Sequence, residues 1–176
     1  MTHKLLTRAQ TEGHPLMDGS RVTFLWQGIS APRLIDDLHG WEDTPQAMRR
    51  VSPEMWACSF EVARDAYLEY AFLDPETLQR LRDPLNPRRI WNGLGNYNHF
   101  FYMPEAGPSS WTDRQRTKCP RGHLTIHTVG TWMMAQPGHR CLTLYHPPTE
   151  ERVPLMVVYD GPDYLRRGRL PVIVDN

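Results

Sequence analysis

The chain has 176 residues, with twenty basic and twenty acidic side chains and a formal net charge of zero. That length holds one ordinary domain, or one and a fraction. The balanced charge leaves no electrostatic footprint for nucleic acid or an anionic membrane. Three cysteines without CxxC spacing (Cys58, Cys119 and Cys141), no apolar signal segment after Met1 and no run of transmembrane length point to a reducing cytoplasm. Sixteen prolines and six tryptophans in a chain of mean hydropathy −0.57 argue for short strands, many turns and an aromatic core.

In chain order, His3 to Thr11 reads as a short helical turn that Gly13 and Pro15 end. From Arg21 the period changes to two. Val22, Phe24 and Trp26 share one face of a strand, with Thr23, Leu25 and Gln27 on the other, and Gly28 closes it. Pro32 to Leu38 is a weaker strand. Trp56, Cys58, Phe60 and Val62 alternate with Ala57, Ser59, Glu61 and Ala63, the clearest half-buried strand of the chain. This phase makes Cys58 a small buried hydrophobe, not a ligand or disulfide partner. Leu68, Tyr70 and Phe72 repeat the pattern. Asp74-Pro75-Glu76-Thr77 is either a turn or a helix start capped by Asp74. Asp83-Pro-Leu-Asn-Pro87 is a rigid extended corner, Gly93 to Asn96 a loop, and His99 to Met103 a further strand.

Strands of this length between turn signals predict a mainly β chain, with an immunoglobulin-like β-sandwich over residues 1–110. Residues 104–120, with Pro, Gly, Ser and charge, read as a linker stretch, the boundary between two regions falling at 111–120. Residues 121–176 read as a second region, with strands at Gly122–Val129, Arg140–His146 and from Val153. Leu155 to Tyr159 is an unbroken, β-branched apolar run of the kind buried on both faces of a parallel sheet. Asp160-Gly161-Pro162 breaks it, and Asp163 to Arg167 starts a helix. A parallel strand needs crossover-linked neighbours of a dozen or more residues each, so the chain reads as one complete domain plus the front edge of a second.

These segments carry a resemblance. Val22-Thr-Phe-Leu-Trp-Gln-Gly28, the strand opening at Trp56, Tyr67-Leu-Glu-Tyr-Ala-Phe-Leu-Asp74 and Asp83-Pro-Leu-Asn-Pro87 resemble the early-set immunoglobulin-like domain of enterochelin esterases. Arg140-Cys-Leu-Thr-Leu-Tyr-His-Pro-Pro148 and Val157-Val-Tyr-Asp-Gly161 are similar to the start of that family's esterase D-type α/β-hydrolase domain. The resemblance implies the leading part of a cytoplasmic serine esterase that needs no cofactor. The substrate it implies is a small-molecule ester, in the best-known members the backbone of ferric catecholate siderophores.

The chain departs from the family in one respect. A serine esterase of this fold needs a nucleophile in a G-x-S-x-G elbow, with an acid and a histidine beyond it. None of Ser20, Ser30, Ser52, Ser59, Ser109 and Ser110 has the flanking glycines. The catalytic serine and histidine are therefore expected outside these residues, and the chain is expected to hydrolyse nothing alone.

Candidate site residues remain. Asp160 and Gly161 follow an early sheet strand, where α/β-hydrolases place a second oxyanion donor. The alternative is that Gly161 simply turns the chain into the helix. Arg166 and Arg167, just beyond, suit capture of an anionic ester, whereas Arg88 and Arg89 read as solvated surface. The alternative function is a stand-alone early-set module, carbohydrate-binding through Trp41 and Trp91 in loop-like sequence, or an assembly part. His123 and His127 share a strand face, but nothing at ligand spacing completes a metal site, and a hydrogen-bonded face is the better reading. An unpaired Leu155–Tyr159 strand predicts self-association or a partner that completes the sheet.

Overall fold

The structure, a computed structural model, describes residues 2–112 and 119–176. Of the predicted linker 111–120, residues 113–118 lie outside the described residues. The chain divides into two compact units, Met1–Gly107 and Pro108–Asn176.

The first unit opens with helix α1 (Thr2–Glu12), followed by β1 (Leu16–Asp18), β2 (Arg21–Gln27), β3 (Arg33–Asp36), β4 (Gln46–Ala47) and β5 (Arg49–Ser52). After these come β6 (Met55–Glu61), β7 (Tyr67–Leu73), β8 (Arg80–Leu81), β9 (Arg89–Trp91) and β10 (Tyr97–Tyr102). One sheet runs β1-β2-β6-β5. The other runs β4-β3-β7-β10-β9, with β8 pairing to β7. These orders are the A-B-E-D and C′-C-F-G sheets of an immunoglobulin-like sandwich, with β8 and β9 inserted before the last core strand.

The two aromatic stripes predicted from the sequence meet directly. In the β2–β6 register, Val22 stands opposite Phe60, Phe24 opposite Cys58, and Trp26 opposite Trp56. Since opposed residues share a face, both stripes look into the sandwich. From the other sheet Leu34, Leu68, Tyr70, Phe72 and Phe101 meet them in one core. The Phe24 ring stands edge-on to Tyr70 at 4.8 Å and stacks on Phe60 at 5.4 Å. Burying each large apolar side chain contributes about 1.5–3 kcal/mol.

One expectation needs correcting here. Leu25 and Ala57, assigned by period to the outer face, are as buried as the core because α1 covers them. Ala9, Leu16, Leu25, Met55 and Ala57 form a second cluster, edged by Leu5 and Leu6. The Asp74 segment resolves as a turn. Its side-chain Oδ1 accepts the backbone N–H of Glu76 (3.0 Å) and of Thr77 (2.8 Å).

The second unit holds a hairpin, β11 (His123–Gly130) with β12 (His139–His146), and two short helices, α2 (Gly161–Arg166) and α3 (Leu170–Asp175). The strands pair antiparallel from His123↔His146 to Gly130↔His139. Asp175 ties α3 to the hairpin base, its Oδ1 accepting from Gly122 N (2.9 Å) and Tyr145 Oη (2.6 Å).

The predicted strand at Leu155–Tyr159 does not form. The segment has no strand pairing among the described residues, and Leu155 and Tyr159 are each 83% exposed. Its pattern suits burial on both faces, but the one sheet among the described residues of this unit is the two-stranded hairpin, which supplies neither flanking strands nor covering layers. Among the described residues of the unit, Val172 is the one buried apolar side chain. No described helix is long and apolar enough to cross a membrane.

Candidate functional site

The structure brings the four predicted hydrolase-side residues onto one element. Asp160 has φ 54°, a left-handed conformation unusual for a residue with a side chain, and precedes α2. Its carbonyl accepts Asp163 N at 3.0 Å, which starts the helix. A Cβ added at Gly161 would meet nothing within 4 Å, so no close packing in this unit demands a glycine there. Arg166 is exposed in the last turn and Arg167, half-buried, caps the end.

The two loop tryptophans differ. Trp41 lies in a 3₁₀ turn with φ 56° and packs against the buried Ile35, Ala71 and Leu73, and the Arg80 guanidinium lies over its ring at 5.6 Å. That leaves it little free stacking surface. Trp91, on β9, is 38% exposed and stands edge-on to Tyr97 at 5.3 Å. The predicted core tryptophans are half-buried. Trp26 packs on Phe72 at 5.1 Å, and Trp56 donates its indole N–H to the Gly28 carbonyl at 3.0 Å.

On the hairpin, His123 stacks on His146 with centroids 4.6 Å apart. Thr125 Oγ1 lies 2.8 Å from His127 Nε2 and 2.8 Å from His146 Nε2. The strand-face histidines are thus engaged with Thr125 and with each other. No group of three or more His, Cys, Asp or Glu able to hold a metal occurs among the described residues.

Sequence reasoning missed a buried polar network of five side chains. His14, Asp83, Tyr70, Asn86 and His99 are all buried and hydrogen-bonded as one network between the sheets. Leu25 N donates to His14 Nε2 at 2.8 Å, so that nitrogen carries the lone pair and Nδ1 carries the proton, directed at Asp83 Oδ2 2.7 Å away. Tyr70 Oη donates to the same Oδ2 at 2.5 Å and accepts from Asn86 Nδ2 at 3.0 Å. Asp83 N donates to His99 Nε2 at 3.0 Å. Burial pushes the Asp83 carboxyl up, but the hydrogen bonds from His14, Tyr70 and Leu85 outweigh it and hold it below the usual carboxylate value. Burial and the Asp83 charge push the Tyr70 phenol well up, and burial pushes the His99 imidazolium down. The one sequence signal was the Asp83-Pro-Leu-Asn-Pro87 corner, a polar segment too proline-rich to be strand or helix.

A second carboxylate–imidazole pair sits at the end of β3. Buried Asp36 accepts from His39 Nδ1 at 2.8 Å and from the Leu38 and His39 backbone N–H groups. Cys58 is no activated nucleophile. Burial, with the Asp36 charge, pushes its thiol up, opposite to what a reactive thiolate needs.

With the fold in hand, solved structures can be compared. The enterobactin esterase of Shigella flexneri in the presence of enterobactin superposes with TM-score 0.58 at 16% identity, over 88% of this chain and 48% of that one. The ferric enterobactin esterase of Salmonella typhimurium gives TM-score 0.57 at 20% identity, over 83% of this chain and 46% of that one. The Shigella flexneri enzyme with 2,3-dihydroxy-N-benzoyl-serine gives 0.54 at 21% identity, over 89% and 48%. The structural neighbours are thus enterobactin esterases, and at these identities the likeness is one of fold. The chain spans a little under half the length of those proteins, 46–48%. No family model and no curated protein matches the sequence.

Proposed function

We propose that the chain is the leading part of a serine esterase of the enterobactin esterase kind, acting on a small-molecule carboxylic ester. The observation that carries this is the extent of the fold match. The first unit holds 107 of the 176 residues, so a superposition over 88% of the chain must extend into the second unit. A sandwich alone would recommend many functions. A fold match that runs on past the sandwich favours one.

In this reading the sandwich is an accessory domain of the enzyme. Residues 121–176 are the first elements of an α/β-hydrolase sheet, in which Leu155–Tyr159 becomes a strand once neighbours pair with it. Asp160 and Gly161 then flank the oxyanion, and Arg166 and Arg167 draw in an anionic substrate. The reaction is acyl transfer. A serine supplied from outside residues 1–176 attacks the ester carbonyl, the alcohol leaves, and water releases the acid from the acyl-enzyme. A ferric catecholate siderophore is the substrate the fold neighbours suggest.

The test has two arms. Residues 1–176 alone should neither hydrolyse p-nitrophenyl esters nor take a fluorophosphonate label, and labelling of any of their six serines would contradict the proposal. An in-frame coding extension carrying G-x-S-x-G, whose product hydrolyses a catechol-serine ester, is the expected positive. A continuous gene context without that elbow ends the reading.

A further inference from the structure

Strand register brings four connections of the first unit to one end of the sandwich. β2 ends where β6 begins, at Gln27↔Met55, and β3 begins where β7 ends, at Arg33↔Leu73, with Arg80 of β8 beside Leu73. β10 starts at Tyr97, two residues beyond the His99↔Tyr70 pair toward that same end, and pairs there with Trp91 of β9. Trp26 against Phe72 at 5.1 Å ties the two sheets together at this level. The segments 28–32, 53–54, 74–79 and 92–96 therefore share an end. Three of them raise one aliphatic side chain each into solvent: Ile29 is 89% exposed, Leu78 58% and Leu94 88%.

Each of the three is held up by a pinned backbone. Gly28 N donates to the Glu54 carbonyl and Trp56 Nε1 to the Gly28 carbonyl, both at 3.0 Å, immediately before Ile29. Leu78 N donates to the Asp74 carbonyl at 3.0 Å, and Asp74 N to the Gln79 carbonyl at 2.8 Å. Asn92 Oδ1 accepts the N–H groups of Leu94 (2.9 Å) and Asn96 (3.0 Å). Leu78 has φ 57°, a left-handed conformation that costs a residue with a side chain free energy. Glycine or asparagine would close the same turn more easily, and a leucine left in water has no burial to offset that cost. A strained and exposed leucine points to a role other than folding.

We infer that this end docks on the surface of a zwitterionic lipid bilayer, with Ile29, Leu78 and Leu94 entering the acyl boundary. Trp91 and Tyr97, the last pair before the turn that carries Leu94, are of the residue types that settle at headgroup level. A protein partner fits less well. A stable protein interface covers about 800 Å² per partner around a contiguous core, whereas polar residues such as Thr77 and Asn96 separate these prongs. A fluid interface admits separate prongs one by one. Charge selects the lipid. Segments 28–32 and 92–96 carry no charged side chain, and the other two carry Glu54, Asp74 and Glu76. On the bordering strands Arg80 is engaged with Glu42 and Arg50 with the Pro53 carbonyl, and Arg33 is exposed. An anionic surface is thus not favoured, in keeping with a chain of zero net charge, and insertion rather than electrostatic attraction supplies the binding. The inference stands apart from the esterase reading.

The test is NMR of isotope-labelled residues 1–176 titrated with phosphatidylcholine bicelles that contain a lipid bearing a nitroxide on its acyl chain. Amide signals of residues 28–30, 77–79 and 93–95 should broaden first. Those at the opposite end of the sandwich, at Gly19 and residues 63–66, should stay sharp. Ile29→Ser, Leu94→Ser and Leu78→Gly should each raise the lipid needed for half-maximal broadening at the remaining tips by about tenfold, as loss of one inserted aliphatic side chain requires. Leu78→Gly should do so without lowering the thermal midpoint, because it removes a left-handed leucine. A fall in the midpoint with unchanged lipid response would make Leu78 a folding residue and sink its assignment as a prong. Phosphatidylglycerol mixed into the bicelles should weaken the response, since the acidic side chains at this end are repelled. Broadening confined to the second unit, no broadening at the tips, or a requirement for phosphatidylglycerol overturns the inference. So does a dimer that Leu94→Ser returns to monomer while the tips ignore lipid, which makes this end a protein interface.

Discussion

The two units of this chain are built from similar apolar stock and make opposite use of it. The first buries Phe24, Tyr70, Phe72 and Phe101 almost completely, whereas the second leaves Ile126 75%, Val157 67% and Trp132 78% exposed. The difference lies in topology. Two sheets facing each other, with α1 over the back of one, give the inward-facing strand residues of the first unit an opposing layer. Among its described residues the second unit has one hairpin and two α-helices of six residues each, which give no such layer. Apolar composition supplies the material of a core, but a core exists only where layers oppose.

Hydrogen exchange gives the sharpest contrast. Backbone amides at the centre of β2 and β7 should exchange only through global opening, at least about 10⁴-fold slower than those of residues 155–159. Slow exchange across residues 155–159 in isolated chain would break the comparison. Next in size, Phe24→Ala should cost the first unit about 3–5 kcal/mol in urea unfolding followed by tryptophan fluorescence. Ile126→Ala should change it by no more than about 0.5 kcal/mol.

Asp83→Ala strands the His14 Nδ1–H and the Tyr70 hydroxyl in the interior, and should cost about 3 kcal/mol in the same measurement. Tyr70→Phe, which keeps the ring, should cost about 1–2 kcal/mol. Acidification is the mildest perturbation. The folded His99 titrates below its ordinary value because burial disfavours its charge. Above about pH 6.5 both folded and unfolded rings are neutral and the full stability is present. As pH falls below that value the unfolded ring takes up a proton that the folded one refuses, so stability falls. His99→Leu should flatten this descent, and an unchanged slope would remove His99 as its cause. For Tyr70 the sign reverses. Its raised phenol keeps its proton when the unfolded one ionises, so stability should decline above about pH 10.

The sequence disclosed what its periods encode. Val22-Phe24-Trp26 and Trp56-Cys58-Phe60 could be placed on inner faces because alternation survives in one dimension, and their direct pairing follows from that phase. The cover that α1 gives Leu25 and Ala57 was not legible, since period two distinguishes faces without saying what lies beyond each. Nor was the His14–Asp83–Tyr70–Asn86–His99 network, whose members span 86 residues and meet only when the sheets close. Leu155–Tyr159 shows the reverse failing. Its pattern reports the surroundings a strand of that composition needs, and the second unit does not provide them. Arg88 and Arg89, which read as solvated surface, are both exposed, and the contact of Arg89 with the Tyr97 ring across the β9–β10 pair is one that strand period does not encode.

The proton on His14 Nδ1 has a practical consequence. It is shut away from solvent, with a side chain of 0% accessibility, in a 2.7 Å contact with a carboxylate. Such an imidazole proton exchanges slowly with water and resonates far downfield of the amide region. A one-dimensional proton spectrum would then follow the closing of one sheet on the other through a single line, without labels or added dyes.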